Sequence, residues 1–261
     1  MPQMMEQALL EDLMDKAWPA LDREETGEWV LRASEGVTQR ANSVWPRVSH
    51  QTGHDGISRS VQAAARWYRD RRLPLIFQVF NDPRSEALNI VLDEQRFTRQ
   101  SETRIMVRDA AGTSAAAPGP GVELNDHPTR EWLDLWWSVD GRGGEAELSV
   151  AHRILAACPS LYALLRDDDG VPAAVGRLAL VDGWGGIYSM ATSPAHRRRG
   201  YATRILDALL RAGSQRRLEG FWLLVTAANL GARDLYLQAG FTDQGGYLYR
   251  QAPLKRAPGG C

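Results

Sequence analysis

The sequence predicts an α/β protein made of two consecutive domains. Strand-like apolar runs alternate with amphipathic helical stripes along the whole chain, the pattern that lays helices against a sheet. One stretch interrupts the pattern: Asp109-Ala-Ala-Gly-Thr-Ser-Ala-Ala-Ala-Pro-Gly-Pro-Gly121 consists almost entirely of small residues, glycine and proline, which cannot bury enough surface to order themselves. The boundaries that follow are a first domain over 1–108, a linker over 109–121, a second domain over 122–252 and a tail over 253–261. The 261 residues are enough for two domains of roughly 100–150 residues each.

The first domain opens with an amphipathic helix before Lys16. Two strand-like runs follow, Trp29–Arg32 and Val37–Trp45, and Pro46 ends the second because it lacks a ladder donor. From Ile57 to Arg72 the apolar positions Ile57, Val61, Ala64, Ala65 and Tyr68 fall on one helical stripe, with arginines outside it. A buried-type strand at Leu75–Val79, a helix near Ser85–Leu92 and a strand near Thr103–Val107 complete the domain.

The second domain begins with a short strand, Val122–Leu124, and a helix carrying Trp132, Trp136 and Trp137, read as packing residues. A helix follows at Glu145–Ala156. Leu161–Arg166 and Val171–Val181 read as a hairpin, because Asp167-Asp-Asp-Gly170 between them is a tight-turn signal. Strand Ile187–Thr192 leads to Pro194, then helix Tyr201–Ala212 with Gly213 as its expected stop. Strand Phe221–Val225, helix Leu230–Gln238 ended by Gly240, and strand Gly246–Arg250 close the domain. The order strand, helix, phenylalanine, strand ending in arginine occurs in both halves, which suggests an internal duplication.

Composition narrows the function. A formal charge of -1 argues against nucleic acid or an anionic membrane as partner. Five histidines without H-E-x-x-H spacing argue against a metal site. Cys158 reads as a core residue and Cys261 as a tail residue, with no disulfide framework. Acids at Glu6, Glu11, Asp12 and Asp15 interrupt the first apolar pattern, unlike a signal peptide. No run reaches the ~18 apolar residues of a membrane span. These features describe a soluble, cytoplasmic protein.

The chemistry concentrates after strand Ile187–Thr192. There the chain runs Ser-Pro-Ala-His196-Arg197-Arg198-Arg199-Gly200-Tyr201-Ala202 into a helix. Free N–H groups and the dipole at a helix N-terminus attract phosphate oxygens. Gly200 allows close backbone approach, Ala202 keeps it open, and the arginines add charge. The pattern lacks the G-K-[ST] of a P-loop and the spaced glycines of a dinucleotide fold. It describes a phosphate or pyrophosphate site. His196, beside it, reads as exposed.

Arg197-Arg-Arg-Gly200-Tyr-Ala202 resembles the [QR]-x-x-G-x-[GA] loop of the GNAT superfamily of N-acetyltransferases, and Asn229 through Gly240-Phe241 resembles its second motif, which ends L-Y-x-x-x-G-F. The resemblance covers about Gly121 to Arg250. It implies a mixed central sheet flanked by helices and acetyl-CoA as cosubstrate, with no metal. It also implies a pyrophosphate grip by Arg197–Ala202 and backbone pairing of Met190, Ala191 and Thr192 with the pantetheine amides. Asn229, at least a helix N-cap, would lie near the pantetheine arm, and Tyr236 would protonate the departing thiolate. A carboxylate on the strand before the loop often acts as base in this family. Ile187–Thr192 has none, and Asp182 is the nearest preceding acid. Water, a backbone carbonyl and a residue of the first domain all remain open as the base.

The segment Trp18…Trp29-Val-Leu-Arg32…Thr38–Pro46 resembles tandem GNAT proteins whose first domain has lost the phosphate loop, a group including single-chain N-acetylglutamate synthase-like proteins. The expected acceptor is a small-molecule primary amine, glutamate among the candidates, in a monomer or homodimer. Alternatives are a protein-lysine or antibiotic-amine acetyltransferase, and a non-catalytic acetyl-CoA sensor. Arg40, Asn42 and Ser43 would recognise the acceptor if the second run is an exposed strand, Arg40 pairing a carboxylate in bidentate fashion.

Overall fold

The computed structural model describes residues 5–27, 29–47, 53–111, 113 and 121–253. In chain order its elements are α1 (Gln7–Ala17), β1 (Asp22–Thr26), β2 (Trp29–Ala33), β3 (Trp45–Pro46), α2 (His54–Asp70), β4 (Ile76–Phe80), α3 (Glu86–Glu94), β5 (Thr98–Asp109), β6 (Val122–Asn125) and α4 (Arg130–Asp140). They continue with α5 (Glu145–Ala156), β7 (Ser160–Arg166), β8 (Pro172–Val181), β9 (Trp184–Thr192), α6 (Tyr201–Gln215), β10 (Gly220–Thr226), α7 (Leu230–Gln238) and β11 (Thr242–Gln251). The fold is α/β, with mixed sheet flanked by helices.

The chain forms two compact units that are not consecutive in sequence. One holds residues up to 19 together with 104–225 and 229–244, and the other holds 20–103, 226–228 and 245 onward. The linear boundary at 109–121 therefore does not coincide with the compact units, and residues 112 and 114–120 of that stretch lie outside the described residues. The reason is strand sharing along the chain: β5 and β11 each place one half in either unit.

In the larger unit the strand order is β11-β5-β10-β9-β8-β7-β6. The pairs from β6 to β9 are antiparallel, and β9 pairs β10 in parallel. Helix α6 lays Ile205, Leu206 and Leu209 on this sheet in one core with Leu178, Ile187, Phe221 and Leu223. Gly213 sits inside α6, which continues to Gln215, so the expected stop is corrected. A Cβ there would lie 2.4 Å from the Phe221 ring, so glycine is needed for packing. Arg217, at φ 57, makes the left-handed turn that ends the helix, with the Leu218 amide donating to the Gly213 carbonyl.

Arg177 on β8 is fully buried without a carboxylate partner among the described residues. Its guanidinium donates to Ala17 O (3.0 Å), at the end of α1, to Leu155 O (3.4 Å), near the end of α5, and to Ser160 Oγ (2.9 Å). Helix C-termini carry partial negative charge, so two of them stand in for an anion and fasten α1 to the sheet. Trp18, Tyr162 and Tyr188 enclose the same group.

The smaller unit contains the sheet β1-β2-β3 and the order β4-β11-β5, with β4 and β11 antiparallel. Its core joins Leu31, Val61, Tyr68, Phe77, Val91 and Phe97. Two readings of the sequence are corrected here. Strand β1 is an additional element: its residues Asp-Arg-Glu-Glu-Thr are all exposed, so no apolar alternation marks it. Residues 37–43 form turns rather than a strand, and only Trp45–Pro46 pair with β2. Asn42 makes those turns. Its Oδ1 accepts from the amides of Ser34 and Gly36, and its Nδ2 donates to the carbonyls of Val37 and Thr38.

The repeated strand–helix–strand order has a fixed spacing. β4 and β10, α3 and α7, and β5 and β11 all start 144 residues apart. The Phe97 amide donates to Leu92 O and the Phe241 amide to Tyr236 O, closing the two helices alike. Left-handed residues, Arg96 (φ 60) and Gly240 (φ 84), precede the two phenylalanines.

Candidate active site

The site forms where β9 departs from β10. Their pairing stops at Leu223↔Ile187, although β9 continues to Thr192 and β10 to Thr226. A bulge accounts for the divergence. Val175 opposes Ala191 and Arg177 opposes Tyr188, so Ser189 and Met190 together face Gly176 alone. An extra residue bends and twists its strand, and Ser189 takes φ 52, a left-handed value that is strained for serine. Its buried hydroxyl makes no hydrogen bond among the described residues.

Gly176 is needed opposite the bulge, because a Cβ would come within 2.7 Å of Met190 Sδ. The Gly176 carbonyl accepts from Trp132 Nε1 at 3.2 Å, and the same indole donates to Ala163 O at 3.1 Å. The tryptophans of α4 therefore fasten this helix over the distorted strand. On the side toward β10, Met190–Thr192 present backbone groups with no strand partner. Such an edge suits an extended ligand with amides of its own.

Beyond β9, a 3-10 turn at Pro194–His196 leads to α6. Arg198 (φ 63) and Gly200 (φ 77) are both left-handed, which turns the backbone tightly into the helix. No side chain caps α6 at Gly200, and a Cβ built there meets nothing within 4 Å. The first turn of α6 thus has no side-chain cap and borders open space at Gly200, as an anion site at a helix N-terminus requires. His196 corrects the sequence expectation: its side chain is 13% exposed, and its Nε2 lies 2.9 Å from Asp167 Oδ2. The His196 ring also packs edge-on against Tyr201, while Nδ1 is buried without a hydrogen bond among the described residues. Hydrogen bonding from the Val171 amide, and further from His196, holds the Asp167 carboxyl below its usual range.

These elements border one cleft of about 760 Å³. It brings together Met190, Ala191, Thr192, Arg197, Arg198, Gly200, Tyr201, Ala202, Asn229 and Tyr236, expected as site residues. Arg199 is exposed outside its lining. Asn229 caps α7, its Oδ1 accepting from the Ala232 amide at 3.1 Å, which leaves Nδ2 for a ligand. Tyr236 is buried against Phe241, and burial together with the Asp140 charge pushes its phenol up to about 12.

Arg40, Asn42 and Ser43 are outside this lining. Asn42 is consumed by its turn, and the buried Ser43 accepts from Arg32 through both Oγ and O. The strand that would set Arg40 and Asn42 on one face and Ser43 on the other does not form, because residues 37–43 are turns. The cleft also includes residues not expected from sequence, among them Asp140, His196 and Asp234. Asp182 is elsewhere, exposed and paired with Lys16 at 2.7 Å. Among the described residues, no three potential metal ligands gather and no helix is long and apolar enough to cross a membrane.

A protein-family model described as "Probable histone acetyltransferase Rv0428c C-terminal" matches residues 7–250. The chain is 26% identical over 246 residues to the "Uncharacterized N-acetyltransferase YobR" of Bacillus subtilis, covering 92% of this chain and 96% of that protein. It is 27% identical over 217 residues to the "Probable histone acetyltransferase Rv0428c" of Mycobacterium tuberculosis, covering 79% of this chain and 62% of that longer protein. Among solved structures, a GCN5-related N-acetyltransferase from Kribbella flavida superposes with TM-score 0.68 at 16% identity, covering 97% of both chains. A tandem GNAT protein from the clavulanic acid biosynthesis pathway superposes with TM-score 0.62 at 12% identity, over 82% of this chain and 76% of that one. At these identities the structural likeness concerns the fold.

Proposed function

This chain belongs to the GNAT N-acetyltransferases, in the family of the Rv0428c C-terminal region, and we propose that it moves the acetyl group of acetyl-CoA directly onto a primary amine of a small molecule. The observation that carries the reading is a single cleft holding an uncapped helix N-terminus, an unpaired strand edge and a buried phenol. Its volume is within the ~300–1,000 Å³ range of small-molecule sites. The residues fit the cosubstrate end to end. Arg197, Arg198 and the α6 amides suit a pyrophosphate, Met190–Thr192 suit the amides of a pantetheine arm, and Asn229 Nδ2 borders the same path.

When bound, acetyl-CoA supplies an acetyl group activated as a thioester. The chain positions that group at the divergence of β9 and β10 and holds a proton at Tyr236 Oη. With its phenol pushed up to about 12, Tyr236 stays protonated at neutral pH and can donate to the leaving sulfur. Cys158 is buried outside this lining, so the reading assigns it no nucleophilic role.

The N-terminal domain (1–108) is, in this reading, a GNAT-like repeat that has lost cofactor binding. The 144-residue spacing sets Leu92 where the second repeat has Tyr236. The helices α2 and α6 start 147 residues apart, which sets the sequence His50-Gln-Thr-Gly53, without an arginine, where the second has Arg197–Gly200.

The cleft lining supports a choice among acceptors. Asp140 and Asp234 are its acids, and its guanidinium groups belong to the phosphate loop. This favours a cationic amine over glutamate, whose carboxylates would meet like charge.

Acetyl-CoA binding by calorimetry, followed by turnover with spermidine, glutamate and a lysine peptide, tests the function. Tyr236→Phe should bind acetyl-CoA as the wild type does and lose about 10²–10⁴-fold in kcat. Unchanged turnover in that variant would remove Tyr236 from the chemistry. Tight acetyl-CoA binding without turnover on any amine would favour a sensor.

A further inference from the structure

We infer that Asp140 is the carboxylate that receives the acceptor's ammonium group and takes its proton, so that acceptors are cationic amines whose reacting nitrogen has no carboxylate beside it. The inference rests on the acetyltransferase reading above and supplies the base that β9 lacks.

Asp140 is the last residue of α4 and is open to the cleft it lines. A carboxylate there faces the negative end of the helix dipole, an unfavourable place for an anion. It makes no ion pair among the described residues. Burial pushes its carboxyl up, while a hydrogen bond from the Trp136 side chain and the Arg197 charge act in the opposite direction. An anion kept in such a place with no ion pair among the described residues suits a cation that arrives from outside.

The fold aims this residue. Helix α4 stops abruptly at Gly141, whose Cβ would lie 2.2 Å from the Trp137 ring, and the Gly141 amide donates to Trp137 O. Trp137 Nε1 in turn donates to Gly143 O at 3.2 Å, holding the chain just beyond Asp140. The charged and titratable groups that line the cleft with Asp140 are Arg197, Arg198 and His196 from the loop before α6, Tyr201 from α6, and Asp234 and Tyr236 from α7. The cleft-lining stretch of β9, Met190–Thr192, contributes none. Arg197 is the one group whose charge steadies the Asp140 carboxylate, and Asp140's charge in turn raises the Tyr236 phenol. An ammonium entering between Asp140 and Tyr236 therefore meets a base for its own proton and an acid for the leaving sulfur.

The proton balance closes. Asp140 takes one proton from the –NH3+ group, and the freed nitrogen lone pair forms the N–C bond as the C–S bond breaks. The sulfur takes the Tyr236 proton, the second proton of the nitrogen restores the phenol, and Asp140 releases its proton to solvent. One acetamide, one thiol and one proton result.

The test uses Asp140→Asn and Asp140→Glu in the full chain, with coenzyme A binding, spermidine binding and spermidine turnover measured separately. Asp140→Asn should bind coenzyme A like the wild type, which also reports that it is folded, and should lose spermidine binding. Its kcat/KM should fall about 10²–10⁴-fold at neutral pH and rise with unit log slope from about pH 6 to about pH 9, because only free amine then reacts. Asp140→Glu should recover part of the rate. Undiminished kcat/KM with an unchanged pH profile in Asp140→Asn overturns the inference, as does a loss of coenzyme A affinity that accounts for the lost rate. Faster wild-type turnover of glutamate than of spermidine overturns the acceptor class. Wild-type protein inactive on every amine sinks the acetyltransferase reading itself, and the role of Asp140 with it.

Discussion

At the scale of single residues, Gly200 separates two demands that often coincide. Its Cβ direction is open space, so no protein atom forbids a side chain, but φ 77 strains any residue other than glycine. Gly200→Ala should therefore fold, at a cost of about 1–2 kcal/mol, and bind coenzyme A more weakly. Gly200→Glu should lose binding, since its carboxylate would occupy the anion's place; calorimetry and thermal melts distinguish the two. Tyr236 makes a pH prediction of definite sign. Its folded-state phenol is raised by burial first and by Asp140 second, so kcat should show no alkaline fall until beyond about pH 10, where an ordinary tyrosine ionises. Above that pH the unfolded chain gives up the proton first, so this residue's contribution to stability declines as pH rises. The loop Arg197–Ala202 and Tyr236 are legible in the sequence because each belongs to a local pattern of fixed spacing. Asp140 is not, because a carboxylate before Gly-Arg-Gly-Gly has no signature until α4 is laid across β9.

Among elements, β9 and α4 form a working pair. The bulge that opens the cleft lies opposite Gly176, and the Gly176 carbonyl accepts from the Trp132 indole. Trp132→Phe keeps most of the buried area and removes the donor. It should destabilise the fold by about 1–3 kcal/mol, read as a lower denaturation midpoint with unchanged slope. Gly213→Ala should cost about 1–3 kcal/mol by overpacking against Phe221. Strand and helix identities are readable wherever apolar periodicity is strong, as in α2, β8 and α6. The exceptions have physical causes. β1 is wholly polar, so pairing rather than patterning makes it a strand. Residues 37–43 imitate a strand in composition, but the side-chain amide of Asn42 offers four hydrogen bonds to nearby backbone and so wins the segment for turns.

For the molecule as a whole, connectivity matters more than the glycine- and proline-rich stretch. A fragment of residues 122–252 lacks α1, which Arg177 fastens through Ala17 O, and the half of β5 that stands between β10 and β11. Expressed alone, it should be insoluble or molten by hydrogen exchange, whereas a stably folded fragment would restore the linear division. That division is what a sequence can suggest, because composition marks a linker but carries no record of strand exchange. The exchange also bears on how the chain is made. β4 is complete when residue 80 leaves the ribosome, yet its partner in β11 is translated only after residue 246. At ~5–20 residues per second, the intervening stretch of about 170 residues takes on the order of ten to thirty seconds. Throughout that interval an apolar strand, Ile-Phe-Gln-Val-Phe, has one unsatisfied edge. Nascent chains of this protein are therefore expected to depend on chaperones that shield such edges, and slowed elongation after residue 80 should lower its soluble yield.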